Sequence, residues 1–205
     1  AGVAAGPFHS QSNEAWFFHV PGLMLAYPAF PEDAKGLLAR AIDTPNPVLF
    51  FEHKALYRSL SGTVPTNDYS LPFGEARVNG TPRAAAIITY GMGVHWALSE
   101  VEGRKAEGQE VAVVDLRTLA PLDWDTVYRV SREAGRVLVL HEDNLTGGIG
   151  AELTARIQDE CFEALDAPVR RVASLDTPIP FAAPLEAAYL AQSELGQALT
   201  DLLEY

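Results

Sequence analysis

The chain has 205 residues, of which 48% are hydrophobic, and 15 Lys and Arg against 27 Asp and Glu give it a formal net charge of −12. This composition supports one or two globular domains with a sizeable core and excludes a disordered chain. The negative charge argues against a nucleic-acid partner, and no apolar run approaches the roughly 18 to 20 residues that a membrane span needs.

Residues 1–80 contain too few elements for a complete domain. Local patterns predict a short helix entered at Ser12, a strand near Leu23–Tyr27, a helix opened by Pro31 and a strand at Val48–Glu52. Two strands alone bury too little surface to be stable. Because the chain also begins without methionine, we expect a processed product or a piece of a longer protein. The turn-rich stretch 65–80 predicts a linker.

Residues 81–205 alternate short apolar runs with helical patterns. The predicted strands are Ala84–Tyr90, Glu110–Leu116, Arg136–His141 and Pro168–Val172. The predicted helices run from Gly93 to about Glu107, from a cap at Asp123, from Ile149 to Leu165, and from Pro184 to Leu203 with a bend near Gln192–Gly196. This alternation predicts a complete doubly wound α/β domain around a mostly parallel sheet.

The acidic charge lies mainly in the second half of the chain. Residues 1–78 have five basic and seven acidic side chains, for a net charge of −2, whereas residues 79–205 have ten and twenty, for a net charge of −10. Two interpretations remain open. The carboxylates form solvated helix faces, or their field attracts a basic protein partner.

The most site-like cluster is His9-Ser10-Gln11-Ser12, which follows a Gly- and Ala-rich arm and precedes a helix. A histidine in a loop at a helix N-terminus can transfer protons near neutral pH, and neighbouring hydroxyl and amide groups can orient a polar substrate. The alternative is a His and Ser that only cap the helix.

Two other clusters lie near the end of the third strand of the second half. The glycine turn Thr146–Glu152 has the spacing GGxG, so we favour close packing between helix and strand over phosphate binding. His141-Glu142-Asp143 combines metal-binding residue types, but adjacent strand residues point to opposite faces, so we expect solvated side chains there. From these residues alone the chain is an α/β protein without a defined activity.

Several strings occur together in the order typical of one family. The chain resembles the β subunit of the thiamine-diphosphate-dependent, decarboxylating component of 2-oxo acid dehydrogenase complexes, from about Gly6 to about Tyr189. The variant of the first string is most similar to branched-chain members, including forms with fused α and β parts. The strings are Gly6–Ala15, Asp33–Leu38, Pro45–Lys54, Asp115–Leu119 and Asp176–Pro180.

The resemblance implies a transketolase-like architecture. Residues 1–64 would be the last part of a pyrimidine-binding α/β domain, residues 65–80 a linker, and residues 81–205 a transketolase-type carboxy-terminal domain. In this family the α part holds the diphosphate and magnesium, and a glutamate upstream in the β part activates the aminopyrimidine. The chain would therefore be incomplete as a catalyst, with most cofactor-binding residues outside it.

The resemblance also implies roles for individual residues. His9 matches the family's active-site histidine, which helps with proton transfer or with the lipoyl group, and Ser10 and Gln11 would orient His9 or the substrate. The stretch with Ala41, Thr44 and Asn46 is similar to a potassium-binding turn of branched-chain relatives, although Thr44 replaces a ligating Asp there. An ordinary helix-to-strand loop is the alternative.

The implied activity is decarboxylation of 3-methyl-2-oxobutanoate with acyl transfer to a lipoyl arm. Pyruvate and acetoin dehydrogenase β portions, or a non-catalytic dimerisation and core-docking module, are the alternatives. The implied partners are the α part, a second β part and the lipoyl acyltransferase core. The single cysteine, Cys161, excludes an intrachain disulfide, so we expect the cytoplasm in a bacterium or the mitochondrial matrix in a eukaryote.

Overall fold

The computed structural model describes residues 1–106 and 108–205. The first part contains helices α1 (Gly6–His9), α2 (Glu14–Phe18), α3 (Pro31–Asp43) and α4 (Leu56–Ser59), with strands β1 (Met24–Ala26) and β2 (Val48–Phe50). The second part contains strands β3 (Arg77–Asn79), β4 (Ala85–Thr89), β5 (Val111–Asp115), β6 (Thr118–Ala120), β7 (Val137–Asn144) and β8 (Arg170–Ser174). Its helices are α5 (Met92–Lys105), α6 (Trp124–Ala134), α7 (Ile149–Cys161), α8 (Ala183–Tyr189) and α9 (Gln192–Leu203).

The larger sheet has five strands in the order β3-β5-β4-β7-β8. Strands β5, β4, β7 and β8 are parallel, and only β3 pairs antiparallel, with β5, among the residues that the structure describes. Helices α6 and α7 pack on one face through Val127, Val130 and Leu153, and α5 and α9 pack on the other through Val94 and Leu199. The predicted doubly wound, mostly parallel α/β sheet is confirmed.

The smaller sheet has three strands in the order β2-β1-β6. Strands β1 and β2 are parallel, as βαβ connection through α3 requires, and β6 joins β1 antiparallel with Leu25 opposite Ala120. Strand β6 follows β5 after only two residues, so the chain leaves one sheet and enters the other within Leu116-Arg117. Arg117 has a φ of +57° at this crossing, a left-handed conformation that is rare for side-chain-bearing residues.

The main predicted elements are present with small shifts of their ends. Strand β7 extends beyond the predicted end at His141 to Asn144, and α7 ends at Cys161 instead of Leu165, where a 3₁₀ turn follows. The predicted helix end near Glu107 lies outside the described residues. Asp123 caps α6 as predicted, because its side chain accepts a hydrogen bond from the amide of Thr126 at 3.0 Å.

The bend in the last helix was predicted too late in the chain. The helix is interrupted at Leu190-Ala191, before the predicted Gln192–Gly196. Two long-range hydrogen bonds set this position: the amide of Ala191 donates to Ser174 Oγ at 3.2 Å, and the amide of Leu175 donates to the carbonyl of Tyr189 at 3.1 Å. Local sequence patterns do not contain such contacts.

Candidate functional site

His9 is the last residue of the single-turn helix α1, which differs from the loop position expected from the sequence. The turn is closed by Ser10, whose amide donates to the carbonyl of Gly6 at 3.0 Å and whose Oγ accepts from the amide of Ala5 at 3.1 Å. Ser10 is buried, whereas His9 and Gln11 are exposed. The structure therefore gives Ser10 a role in folding the turn and leaves the side chains of His9 and Gln11 open to a ligand.

His9 and Gln11 line a cavity of about 330 Å³. The opposite wall comes from the residue that follows β1 and the segment that follows β2. It includes Tyr27, Phe51, Glu52, His53 and Lys54. Lys54 also reaches across, since its Nζ donates to the carbonyl oxygen of His9 at 3.3 Å. The cavity thus presents an imidazole, an amide and an ammonium group next to an aromatic wall.

A buried polar layer lies next to this cavity, where the two sheets meet. Glu14 begins α2 and is almost fully buried, and the hydroxyl of Tyr90 donates to its Oε1 at 2.8 Å. Burial, with the charge of Asp143 adding to it, raises the pKa of Glu14 to about 7. Burial also raises the pKa of Tyr90 well above its usual value, so its hydroxyl stays a neutral donor.

The expectation that His141-Glu142-Asp143 is solvated is wrong. The three residues are 0%, 6% and 7% exposed. Gly148 and Gly150 pack on the ring of His141, and Ala1, Ala15 and His53 contact Glu142 and Asp143. Glu142 Oε2 lies 2.7 Å from His53 Nε2, which connects β7 to the segment after β2. Burial lowers the pKa of His141 to about 4, so this imidazole is neutral near pH 7.

The close packing predicted for the glycine turn is confirmed. A Cβ at Gly148 would lie 2.4 Å from His141 Cε1, and one at Gly150 would lie 2.5 Å from His141 Cδ2. The turn is also fastened by Asp176, which accepts hydrogen bonds from the amide and the hydroxyl of Thr146 at 2.8 and 2.6 Å. Both glycines therefore let α7 approach the imidazole of His141 on β7.

The residues matched to a potassium turn form the end of α3 and the loop after it. The hydroxyl of Thr44 donates to the carbonyl of Arg40 at 2.8 Å, and the amide of Thr44 donates to the carbonyl of Ala41 at 3.4 Å. Asn46 Nδ2 contacts the sulfur of Met24 at 3.7 Å. The hydroxyl of Thr44 and the carbonyl of Ala41 thus take part in ending the helix, and a potassium site at this turn stays a prediction.

Within residues 1–106 and 108–205, no group of three or more His, Cys, Asp or Glu side chains is placed to hold a metal ion. None of the helices described is both long and apolar enough to cross a membrane.

Sequence reasoning missed the residues that support the cavity from the second part, namely Tyr90, Asp143 and Glu186. Each contacts the first twenty residues across a separation of more than 70 positions, so no local pattern shows the contact.

The fold, with its three-stranded and five-stranded sheets, and the cavity lined by the His9 segment define a transketolase-like protein. The family model described as "Transketolase, C-terminal domain" matches residues 74–194, and the model described as "Transketolase, pyrimidine binding domain" matches residues 1–59. The chain belongs to the transketolase C-terminal domain family. The predicted resemblance to β subunits of 2-oxo acid dehydrogenases is confirmed by its relatives.

The 2-oxoisovalerate dehydrogenase subunit beta of Bacillus subtilis is 41% identical over 206 residues, with 100% of this chain and 63% of that protein covered. The mitochondrial 2-oxoisovalerate dehydrogenase subunit beta 2 of Arabidopsis thaliana is 45% identical over 177 residues, with 85% and 49% covered. The acetoin:2,6-dichlorophenolindophenol oxidoreductase subunit beta of Cupriavidus necator is 42% identical over 190 residues, with 93% and 56% covered. The chain thus spans less than two thirds of each relative.

A solved structure described as a split gene transketolase, inactive beta4 tetramer, is similar in fold. Its TM-score is 0.71 at 24% sequence identity, and the match covers 93% of this chain and 60% of that chain. At this identity the likeness concerns the fold.

Proposed function

We propose that the chain is the β portion of a thiamine-diphosphate-dependent 2-oxo acid dehydrogenase that decarboxylates 3-methyl-2-oxobutanoate and transfers the acyl group to a lipoyl arm. The observation that supports this most strongly is the exposed imidazole of His9, in the matching His-Ser-Gln-Ser string, which lines a cavity together with the segments that follow β1 and β2. The names of the relatives from Bacillus subtilis and Arabidopsis thaliana support the branched substrate.

His9 is the proposed proton-transfer group. An exposed imidazole near neutral pH can hold or release a proton at the cavity face. Gln11 is exposed beside it and can donate to or accept from a polar substrate group, which is the orienting role. Ser10 acts through the turn that it closes, so its contribution is to orient His9 instead of touching the substrate.

The described residues fit one face of the cofactor. The cavity offers an aromatic wall and His9, but no cluster of carboxylates that would hold magnesium among the residues described. We propose that the diphosphate and its magnesium are held by an α part, separate or fused. When bound, thiamine diphosphate supplies the electron sink that no protein side chain provides for loss of carbon dioxide.

The proposed partners are the α part, a second β part and the lipoyl acyltransferase core. The net charge of −10 in residues 79–205 suits a basic docking partner. The proposed division is residues 1–64 for the last part of the pyrimidine-binding domain, 65–80 for the linker and 81–205 for the carboxy-terminal domain. The proposed location is the cytoplasm in a bacterium or the mitochondrial matrix in a eukaryote.

The test is substrate oxidation by the complete protein with its α part, measured as reduction of an artificial electron acceptor; the two 2-oxo acids lose carbon dioxide in this reaction, whereas acetoin is cleaved without decarboxylation. We expect turnover that requires thiamine diphosphate and magnesium and prefers 3-methyl-2-oxobutanoate to pyruvate and acetoin. Residues 1–205 alone are the control: we expect no turnover and weak or absent binding of thiamine diphosphate by calorimetry. A preference for pyruvate or acetoin would replace 3-methyl-2-oxobutanoate as the proposed substrate. No turnover of any of the three compounds would favour the non-catalytic docking module.

A further inference from the structure

Glu186 of α8 binds the backbone of the arm that precedes the His9 turn. Its Oε1 accepts a hydrogen bond from the amide of Gly2 at 3.0 Å, and its Oε2 accepts one from the amide of Ala4 at 2.9 Å. The side chain comes from the second part, more than 180 residues away, and is only 4% exposed. Both oxygens of this buried carboxylate are therefore used on two backbone amides.

The arm has the backbone conformation that such a carboxylate recognises. Gly2, Ala4 and Gly6 have positive φ values of +80°, +50° and +56°. When left-handed residues alternate with others, nearby amides point to the same side and form a concavity that binds an anion. Ala4 pays a conformational cost there, because a residue with a Cβ disfavours positive φ, and the bonds to Glu186 offset that cost.

A second contact from the same segment fixes the other end of the arm. The ring of Phe181 packs directly on Gly6, where an added Cβ would lie 2.6 Å from the ring. The same ring lies 6.1 Å from that of Phe8, measured between centroids. The segment from Phe181 to Glu186 thus holds the arm just before α1 and the face of α1 itself.

The orientation of His9 depends on this support because α1 is too short to hold it. A single helical turn is unstable in isolation, so its direction is set by external contacts. His9 ends the turn that begins at Gly6, and Ser10 ties the end of the turn back to Ala5. Movement of the arm would therefore move the imidazole with it.

We propose that Glu186 is a positioning residue for His9, acting from the carboxy-terminal domain through the amides of Gly2 and Ala4. This inference rests on the proposed function, in which His9 takes part in the reaction. Glu186 does not line the cavity, and its role is to hold the backbone that presents His9.

The test uses the complete protein with its α part and the variant Glu186→Gln. The glutamine keeps the size but turns an N–H group toward one of the two amides, so one hydrogen bond is lost. We expect kcat with the preferred 2-oxo acid to fall by about tenfold or more, since small misplacements of a catalytic group have large effects, with KM nearly unchanged. Glu194→Gln is the matched control, because Glu194 is exposed on α9, and we expect no change.

A double-mutant cycle with His9→Ala separates positioning from a general structural effect. If Glu186 acts through His9, Glu186→Gln lowers kcat no further once His9 is absent. The proposal would be overturned if Glu186→Gln lowered kcat by the same factor with and without His9. It would also be overturned if Glu186→Gln were as active as Glu194→Gln. If Glu186→Gln fails to fold, Phe181→Leu takes its place. We then expect Phe181→Leu to lower kcat in the parent protein and to leave kcat unchanged in the His9→Ala background.

Hydrogen exchange of the segment 1–9 in the holoenzyme gives a readout independent of turnover. We expect faster exchange in Glu186→Gln and unchanged exchange in Glu194→Gln. Unchanged exchange in both variants would overturn the proposal directly. If His9→Ala itself retains full turnover, the proposed role of His9 fails, and faster exchange in Glu186→Gln would then show that Glu186 is a structural contact only.

Discussion

Glu14 is a carboxyl group enclosed where the two sheets meet, between Tyr90 of the second part and the turn that ends in His9. Burial, with Asp143 adding to it, raises its pKa to about 7 from an ordinary value of 4.5. The folded chain therefore binds a proton more tightly here than the unfolded chain does. Between pH 4.5 and 7 the free energy of unfolding consequently falls as pH rises, and above pH 7 this loss is complete.

Glu14→Gln should remove this pH-dependent loss of stability. The glutamine is neutral and its carbonyl can still accept the Tyr90 hydroxyl, so we expect the variant to gain stability relative to the parent chain as pH rises from 5 to 8, by up to about 3 kcal/mol. Urea unfolding of both chains across this pH range measures the difference. Burial also raises the pKa of Asp115 to about 7, but Asp115 is present in both chains, so its contribution cancels in the difference between them.

Glu152→Gln on the exposed face of α7 is the matched control and should leave the pH profile unchanged. A constant difference between Glu14→Gln and the parent chain at every pH would contradict the raised pKa of Glu14.

Single residues also show how far the sequence determines the site. The sequence singled out the string around His9 as the most site-like cluster, and this segment lines the cavity. The burial of His141, Glu142 and Asp143 was predicted wrongly, because part of their cover comes from distant residues, namely Ala1, Ala15 and His53. Residue type shows which chemistry a side chain can perform, but the environment depends on tertiary contacts.

At the scale of elements, the glycine turn before α7 sets how closely a helix can approach a strand. Gly150 lies in the first turn of α7, directly over the ring of His141 on β7. The usual gain from replacing a helical glycine by alanine cannot be realised there, since the added methyl group would overlap an imidazole that is fully buried.

Gly150→Ala should therefore destabilise the fold by about 1–3 kcal/mol, the usual cost of overpacking a core. Gly103→Ala is the control, because Gly103 is also helical but a Cβ there meets no atom within 4 Å. We expect it to be neutral or to stabilise by about 0.5–1 kcal/mol. Thermal or urea unfolding measures the stability of both variants. Equal stability of Gly150→Ala and Gly103→Ala would contradict the prediction, because it would show that α7 can move away from β7 at little cost.

The same scale shows which elements could be predicted. The strands β4, β5 and β7 each begin with a run of four buried aliphatic residues, so their composition predicted them. Strands β3 and β6 have three residues each and were not predicted, since they are strands only because β5 and β1 lie beside them. Strand β3 falls within the stretch 65–80 that was predicted as a linker.

At the scale of the whole molecule, the two parts are joined by a shared sheet and by hydrogen bonds as well as by the continuous chain. Strand β6 leaves the second part to complete the smaller sheet, and Arg117, next to it, donates to Asp33 at 2.8 Å. Tyr90 and Glu186 add hydrogen bonds on the side of the cavity. Residues of the second part thus support the segment that carries His9, while the residues that line the cavity lie between Ala1 and Lys54.

The chain spans 63% or less of the relatives compared here, and strand β2 pairs only with β1 among the described residues. An open edge of this kind needs a partner strand or a cover. The sequence predicted this incompleteness from the count of strands, but it did not predict that β6 would fill the other edge.

The central claim is that His9 takes part in the chemistry of a 2-oxo acid dehydrogenase. The most direct measurement is kcat of the complete protein with its α part, bearing His9→Ala or His19→Ala. Both histidines are exposed in the first part, but only His9 lines the cavity. We predict that His9→Ala lowers kcat by about 100-fold or more, as expected for loss of a proton-transfer group, while His19→Ala keeps full turnover. Full turnover by His9→Ala would contradict the account.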